Sequence, residues 1–301
     1  MNTQETASLP VRKVDAGGTS LAYVEQGSGE PVVFVHGAVS DYRTWLEQFE
    51  ALAGDYRVIS YSRRAHYPNA REGDENYTRD AHKTDLIEFL KALRLEKAHL
   101  IGHSYGAAVA LLAALEAPAL VGSLVLAEPS PCPEILDEDA KLLLAEQKAS
   151  FEKVMRLAEN GAAEPAVREF LHTVIGIDAL GLLPAERRAV VLENAATLRP
   201  MLRTYYESFL SVEKLKKLKV PTMFITGEIS PVIARQTCQT IDRYLPNSKI
   251  AILKCASHGL QMENPEGFSR LVLDFLAVNK NTAPLDENLL LYSPIFNQKI
   301  S

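Results

Sequence analysis

The chain has 301 residues, of which 47% are hydrophobic and 23% are charged, and its formal net charge is −6. This composition is ordinary for a globular protein, and the length accommodates one large α/β domain with an insertion. The negative charge argues against nucleic acid or an anionic membrane as a partner. No apolar run approaches the roughly 18–20 residues that a membrane-spanning helix needs.

The cysteine content and the first residues suggest a cellular compartment. Cys132, Cys238 and Cys255 are scattered without paired spacing, which favours reduced thiols over a disulfide framework or a zinc site. The first eight residues are polar and lack the basic-then-apolar pattern of a secretion signal. We therefore expect a cytoplasmic protein.

Strand and helix patterns alternate along the first part of the chain. Two short strands, 11–15 and 21–25, form a predicted antiparallel pair joined through Gly17-Gly18. Apolar strand patterns follow at residues 31–35, 56–61, 98–101 and 121–127. Helical spacing of apolar residues separates them, at 42–52, 80–95 and 107–115. This alternation predicts a mainly parallel sheet with helices on both faces.

The alternation stops after residue 129. Four helical stretches, punctuated by glycines and prolines, occupy residues 137–159, 164–174, 184–195 and 202–209. Strand patterns resume at 220–225 and 249–253, followed by helices at 232–244 and 265–277. The sequence thus predicts an α/β core made of residues 1–129 and 216–280, interrupted by a helical cap over residues 130–215.

The last segment, residues 281–301, is more apolar than an ordinary disordered end. It contains Leu289-Leu290-Leu291-Tyr292 and Ile295-Phe296. We expect this tail to pack on its own domain or on a second subunit, which would make the protein a homo-oligomer.

A pentapeptide, Gly102-His103-Ser104-Tyr105-Gly106, stands between a predicted strand and a predicted helix. Glycine-x-serine-x-glycine in that setting is the sequence form of a nucleophile elbow. The two glycines allow a turn so tight that the serine hydroxyl projects from the backbone at the head of a helix. The pattern predicts that Ser104 is a catalytic nucleophile.

The order of elements resembles that of the α/β-hydrolase fold, in the capped subset that includes esterases, lactonases and carbon–carbon bond hydrolases. The resemblance covers about residues 20–280 and is anchored on His36-Gly37, on residues 102–106 and on residues 257–266. It implies an α/β-hydrolase fold with a mainly parallel sheet, helices on both faces and an inserted helical cap.

The resemblance also implies the partners of the serine. In this fold the general base comes last in the chain, and His258 follows the final predicted strand. The N–H of Tyr105 at the head of the helix is expected to form one half of the oxyanion hole, and the N–H of Ala38, by family position, the other half. His36 is expected to orient that loop, whereas His103 is expected to point away from the serine.

The acid of the triad departs from the usual pattern. Relatives place an aspartate three residues after a glycine that here is Gly227, and this chain has Ser230 there. A serine cannot stabilise the charge of an imidazolium, so another carboxylate is needed. Glu128 is the preferred candidate, since zearalenone-type lactonases and haloalkane dehalogenases carry the acid after the corresponding strand. Glu228 is the alternative.

These residues predict a serine hydrolase that cleaves a small, moderately apolar carboxylic ester or lactone through an acyl-enzyme, with no cofactor and no metal. The apolar and aromatic side chains of the predicted cap suggest the character of the substrate: Phe151, Met155, Phe170, Leu171, Met201, Tyr205 and Phe209. Arg64, in the loop after the strand at 56–61, is expected to anchor that loop.

Two other interpretations stay open. The same triad can serve hydrolysis of a carbon–carbon bond in a β-diketone-like compound, or perhydrolysis. The other interpretation is not an enzyme in the first place: the protein would be a ligand-binding receptor on a hydrolase scaffold, with weak turnover. Ser230 at the usual acid position favours the receptor, and the Ser104/His258 pair argues against it.

Overall fold

The computed structural model describes residues 9–280, except residues 72, 74 and 208. The tail predicted to pack or to join subunits, residues 281–301, lies outside the described residues. Eight strands of the described chain form one sheet: β1 Arg12–Ala16, β2 Thr19–Gln26, β3 Glu30–Val35, β4 Tyr56–Tyr61, β5 Ala98–His103, β6 Val121–Ala127, β7 Thr222–Gly227 and β8 Ser248–Leu253.

The sheet has the order β1-β2-β4-β3-β5-β6-β7-β8. Only the pairs β1/β2 and β2/β4 are antiparallel, and the strands from β4 to β8 run parallel. The predicted α/β-hydrolase fold is therefore confirmed. Because the carboxyl ends of parallel strands meet at one edge of a sheet, the loops after β3, β4, β5, β6 and β8 come together there.

Helices cover both faces of the sheet. The helices of the described chain are α1 Leu46–Leu52, α2 Arg79–Ala92, α3 Tyr105–Glu116, α4 Glu138–Glu159, α5 Ala163–Ile175, α6 Ala179–Leu182, α7 Ala185–Glu193, α8 Leu198–Arg203, α9 Val212–Lys217, α10 Val232–Asp242, α11 Leu260–Glu263 and α12 Pro265–Ala277. No helix among them is long and apolar enough to cross a membrane.

The continuous apolar run of β3 follows from burial on both faces. Val33 and Val35 belong to the core cluster that includes side chains of α2 and α3, whereas Val32 and Phe34 belong to the cluster under α1 and α12. Successive side chains of a strand point to opposite faces, so a strand covered on both sides must be apolar at every position. Phe34 stacks on Trp45 there with ring centroids 4.7 Å apart.

Six helices, α4 to α9, stand between β6 and β7, in the segment predicted as a cap. Their own core is aromatic: Phe151 of α4 lies 5.5 Å from Phe170 of α5 and 5.1 Å from Tyr205, measured between ring centroids. The first two predicted cap helices agree with α4 and α5 to within about a residue at each end.

The last predicted cap helix, 202–209, is wrong in position. The structure has a helix earlier, at Leu198–Arg203, and a turn after it. Pro200 does not break this helix, because it lies in the first turn of α8. There its missing N–H costs nothing, because first-turn N–H groups have no partner within a helix. The short helix α9 was not predicted.

Candidate active site

Ser104 sits at the junction between β5 and α3, in the strained backbone that a nucleophile elbow requires. Its φ is 52° and its ψ is −118°, an uncommon combination for a residue with a side chain. Both glycines are needed for space. A Cβ at Gly102 would lie 2.6 Å from the Cα of Ala107, and one at Gly106 would lie 2.2 Å from the carbonyl oxygen of Val35.

The structure brings the three predicted triad side chains together. His258, in the loop after β8, has its Nε2 3.2 Å from Ser104 Oγ. Its Nδ1 lies 2.6 Å from Oε2 of Glu128, the residue that follows β6. An ionised carboxylate only accepts hydrogen bonds, so Nδ1 carries the proton and Nε2 is left to accept from the serine hydroxyl. These distances suit a nucleophile, a base and an orienting acid.

Glu128 is fully buried and held at both oxygens. Oε1 accepts from Thr226 Oγ1 at 2.8 Å and from the N–H of Gly227 at 2.9 Å. Burial alone would raise the pKa of Glu128, but the hydrogen bond and charge of His258, with Ser230 and the Gly227 N–H, outweigh it and lower that pKa. The carboxylate therefore stays charged beside the imidazole.

The alternative acid, Glu228, lies elsewhere. Its side chain is exposed and pairs with Lys254 Nζ at 2.7 Å, and it also accepts from the N–H of Cys255 at 3.1 Å. It makes no contact with His258. The structure thus joins Glu128, and not Glu228, to the histidine, while Ser230 is buried near Glu128.

The two predicted oxyanion donors flank the serine. Tyr105 is the first residue of α3, where a backbone N–H has no acceptor within the helix and the helix dipole favours negative charge. Ala38 follows β3 and lines the same groove as Ser104 and His258. One N–H thus stands at the head of α3 and the other in the loop after β3, the two elements from which we expect the oxyanion hole to be built.

His103 was expected to point away from the serine, and its ring contacts the loop that carries His258. Its Nε2 lies 2.8 Å from the backbone carbonyl oxygen of His258, and the two rings are 4.9 Å apart between centroids. Burial, followed by the charge of His258, lowers the pKa of His103 to about 3. The ring is thus neutral, and its Nε2–H holds the loop that carries His258.

A groove of about 1730 Å³ leads to Ser104 between the core and helices α5 and α7 of the predicted cap. Apolar side chains form much of its cap side: Phe170, Leu171, Val174, Ile175, Leu183, Val190 and Val191. On the other side of the serine, Ser130, Gln147 and Tyr205 line a far smaller cavity of about 20 Å³, which is room for a water-sized group.

A family model supports the conclusion drawn from the fold. The model of the alpha/beta hydrolase family matches residues 32–271. The chain belongs to the alpha/beta hydrolase family.

Known relatives are similar over almost their whole length. The chain is 27% identical to the 2-hydroxy-6-oxo-6-(2'-aminophenyl)hexa-2,4-dienoic acid hydrolase of Metapseudomonas resinovorans, over 88% of this chain and 90% of that one. It is 26% identical to the 2-hydroxymuconate semialdehyde hydrolase of Pseudomonas sp. strain CF600, over 92% and 97%. Among solved structures, a bromoperoxidase from Bacillus anthracis superposes with a TM-score of 0.75 at 24% identity, over 89% of this chain and 100% of that one.

Proposed function

We propose that this hydrolase is a serine hydrolase that cleaves a small, moderately apolar carboxylic ester or lactone. The observation that carries the proposal is the hydrogen-bonded series Ser104–His258–Glu128 at the floor of the groove. In the proposed reaction, His258 Nε2 takes the proton as Ser104 Oγ attacks the carbonyl carbon. Glu128 keeps the imidazole in the required tautomer and stabilises its positive charge.

The remaining steps use the same groups. The N–H groups of Ala38 and Tyr105 receive the negative charge that develops on the carbonyl oxygen. His258 then gives its proton to the leaving alcohol, and the acyl group stays on Ser104. Water, deprotonated by His258, attacks the acyl-enzyme and releases the acid.

The lining of the groove supports an uncharged substrate. Three arginines line it. Two already carry carboxylate partners, since Arg187 pairs with Glu47 and Arg43 pairs with both Asp41 and Glu193, and the third, Arg270, is exposed to solvent. A carboxylate substrate would have to compete with these groups for its counter-ion. A neutral ester or lactone would only have to bury apolar surface against the cap, which favours binding.

Hydrolysis of a carbon–carbon bond is the second candidate. The relative from Metapseudomonas resinovorans is named for a dienoic acid that contains no ester. Hydrolysis of that acid therefore has to break a carbon–carbon bond. The same serine, base and oxyanion donors can serve such a reaction on a ketone. The paired cations of the groove are the feature of this chain that weighs against an acidic substrate.

Labelling by a fluorophosphonate probe, together with a panel of esters, lactones and dienoic ketones, tests the proposal. We expect wild-type protein to react with the probe and to hydrolyse short aryl esters. Ser104→Ala should lose labelling and reduce kcat by several orders of magnitude, leaving the residual rate of binding and the oxyanion hole. Labelling without turnover on any ester or lactone would favour the second candidate, and absence of labelling would favour a receptor.

A further inference from the structure

Arg63, directly after β4 in the loop at the catalytic edge of the sheet, is fully buried. Within the described part of the chain, no carboxylate forms an ion pair with it. A buried guanidinium without a carboxylate is costly unless its N–H groups are well used. Two of its nitrogens instead donate to backbone carbonyl oxygens of the loop after β3, and the third, Nη1, lies 3.3 Å from His82 Nε2 and 3.5 Å from the Tyr77 hydroxyl.

The guanidinium holds the loop after β3 at two successive carbonyl groups. Nε donates to the carbonyl oxygen of His36 at 3.1 Å, and Nη2 donates to that of Gly37 at 2.8 Å. The planar fork of an arginine suits two acceptors in fixed relation, which a lysine cannot match.

The backbone of Arg63 sets the protonation of the adjacent histidine. Its N–H donates to Nε2 of His36 at 2.9 Å. Burial and the charge of Arg63 hold the pKa of His36 well below its usual range, so the ring is neutral and its single proton lies on Nδ1. That Nδ1 is 2.9 Å from the Gly37 oxygen, which therefore receives two donors.

The Gly37 oxygen matters because it shares a peptide unit with the N–H of Ala38. In a trans peptide the C=O and the N–H point in opposite directions, so fixing the oxygen fixes the direction of the N–H. Donors on the oxygen also polarise the peptide and strengthen the N–H as a donor. The guanidinium carbon further lies 4.8 Å from the ring centroid of Tyr105, whose N–H is the other proposed donor.

We propose that Arg63 is a positioning residue for the oxyanion hole. It holds the Gly37–Ala38 peptide so that the Ala38 N–H faces the reacting carbonyl, and it contacts Tyr105 from the same side. The proposal rests on the proposed serine hydrolase mechanism, because it concerns the charge that develops when Ser104 attacks.

The test compares Arg63→Met and Arg63→Lys with Arg64→Met as the matched control. Arg64 is the adjacent arginine, and it binds Asp85 of α2 through Nε at 2.6 Å and Nη2 at 2.5 Å, away from the oxyanion loop. The readouts are kcat and KM for a p-nitrophenyl ester, the second-order rate of fluorophosphonate labelling, and the melting temperature of each variant.

We expect Arg63→Met to lower kcat and the labelling rate by about 10²–10³-fold, the usual loss of one oxyanion donor, with KM within about threefold of wild type. Arg63→Lys should lose nearly as much, since a single ammonium cannot hold both carbonyl groups in place. Arg64→Met should lower the melting temperature while kcat stays within about twofold, because Arg64 anchors α2 and not the oxyanion loop.

Several outcomes would overturn the proposal. They are a folded Arg63 variant with wild-type kcat and labelling rate, a loss confined to KM, or an equal loss of kcat in Arg64→Met. If Arg63→Met fails to fold, Arg63→Lys carries the test. A wild-type protein that neither labels nor turns over any ester would instead refute the proposed function.

Discussion

The triad and the cap helix α7 face each other across one groove, and they are built in different ways. Glu128 is fully buried and has hydrogen bonds to three groups. In contrast, α7 has no fully buried side chain. Two ion pairs join it to the core: Arg187 pairs with Glu47, and Glu193 with Arg43 at 2.5 Å. Just beyond α7, Asn194 donates to Asp41 at 2.7 Å.

The difference indicates a division of labour. The proposed triad is fixed by the buried Glu128 and by loops at the sheet edge, which keep the three side chains within hydrogen-bond distance. The groove wall formed by α7 is held by partly exposed ion pairs, which contribute little to stability, and by the half-buried side chains of Val191 and Leu192. Chemistry should therefore be sensitive to small changes at the triad, while α7 should tolerate change and control which substrates enter.

The largest expected effect belongs to Glu128. Glu128→Gln keeps the size of the side chain but removes the charge that stabilises the imidazolium, and it permits the wrong tautomer of His258. We expect kcat to fall by about 10⁴-fold, as is typical when a triad carboxylate becomes an amide. The measurement is steady-state hydrolysis of an aryl ester.

Glu228→Gln is the matched control, since that carboxylate pairs with Lys254 outside the site. Its kcat should stay within about twofold of wild type. Ser230→Asp in the Glu128→Gln background should restore part of the lost activity by returning an acid to the position that relatives use. Near-normal kcat in Glu128→Gln, together with a large loss in Glu228→Gln, would reverse the assignment.

The Glu128→Gln variant also tests how the stability of the protein depends on pH. The pKa of Glu128 is lower in the folded protein, mainly because His258 outweighs the effect of burial. Its stabilising contribution is thus present above the unfolded pKa of about 4.3 and is lost as the pH falls through the folded value. The difference in unfolding free energy between wild type and Glu128→Gln should shrink in acid. A difference that grows in acid would contradict the lowered pKa.

The sequence could single out Ser104, His258 and Glu128 as triad candidates because each follows a strand whose pattern is plain. The elbow pentapeptide marks the serine, and the end of the last strand marks the histidine. Glu128 was preferred because Ser230 stood where an acid was needed. The structure joins these three side chains, at separations of 2.6 and 3.2 Å.

Arg63 and His103 could not be predicted in the same way. Their partners, the carbonyl groups of His36, Gly37 and His258, lie far from them along the chain and became neighbours only when the sheet formed. No local pattern distinguishes a buried arginine from Arg64 beside it. Likewise, whether Pro200 ends a helix or lies in its first turn depends on where the helix begins.

An effect of intermediate size, on substrate selectivity, is expected when an apolar side chain of α7 that lines the groove is replaced. Val190 lines the groove and is partly buried. Val190→Trp fills part of the groove, so it should change the ratio of kcat/KM between long and short acyl esters by about tenfold or more. The melting temperature should change by less than about 2 °C, because little packing is lost.

Leu182→Trp is the control for that substitution, since Leu182 is 74% exposed and does not line the groove. It should leave the selectivity ratio unchanged. Equal selectivity in Val190→Trp and wild type would mean that the substrate does not pass beneath α7. The proposal that α7 controls substrate selectivity would then be wrong.

The smallest expected effect concerns the ion pairs of α7. Arg187→Gln removes the link to Glu47, and an exposed pair of this kind contributes roughly 0–1 kcal/mol. Global stability should therefore hardly change, but the local opening of α7 should become easier by up to about fivefold, which is what 1 kcal/mol allows. Hydrogen exchange of the amides at residues 185–193 measures this opening. The amides of α3 behind Ser104 should exchange as slowly as in wild type, because their helix is buried in the core.

High salt should accelerate exchange of α7 in wild type and have less effect in the Arg187→Gln variant, since salt screens the ion pair that the variant lacks. If Arg187→Gln instead accelerates exchange in α3 and α7 alike, the cap helix and the site open as one unit, and the contrast between them is lost.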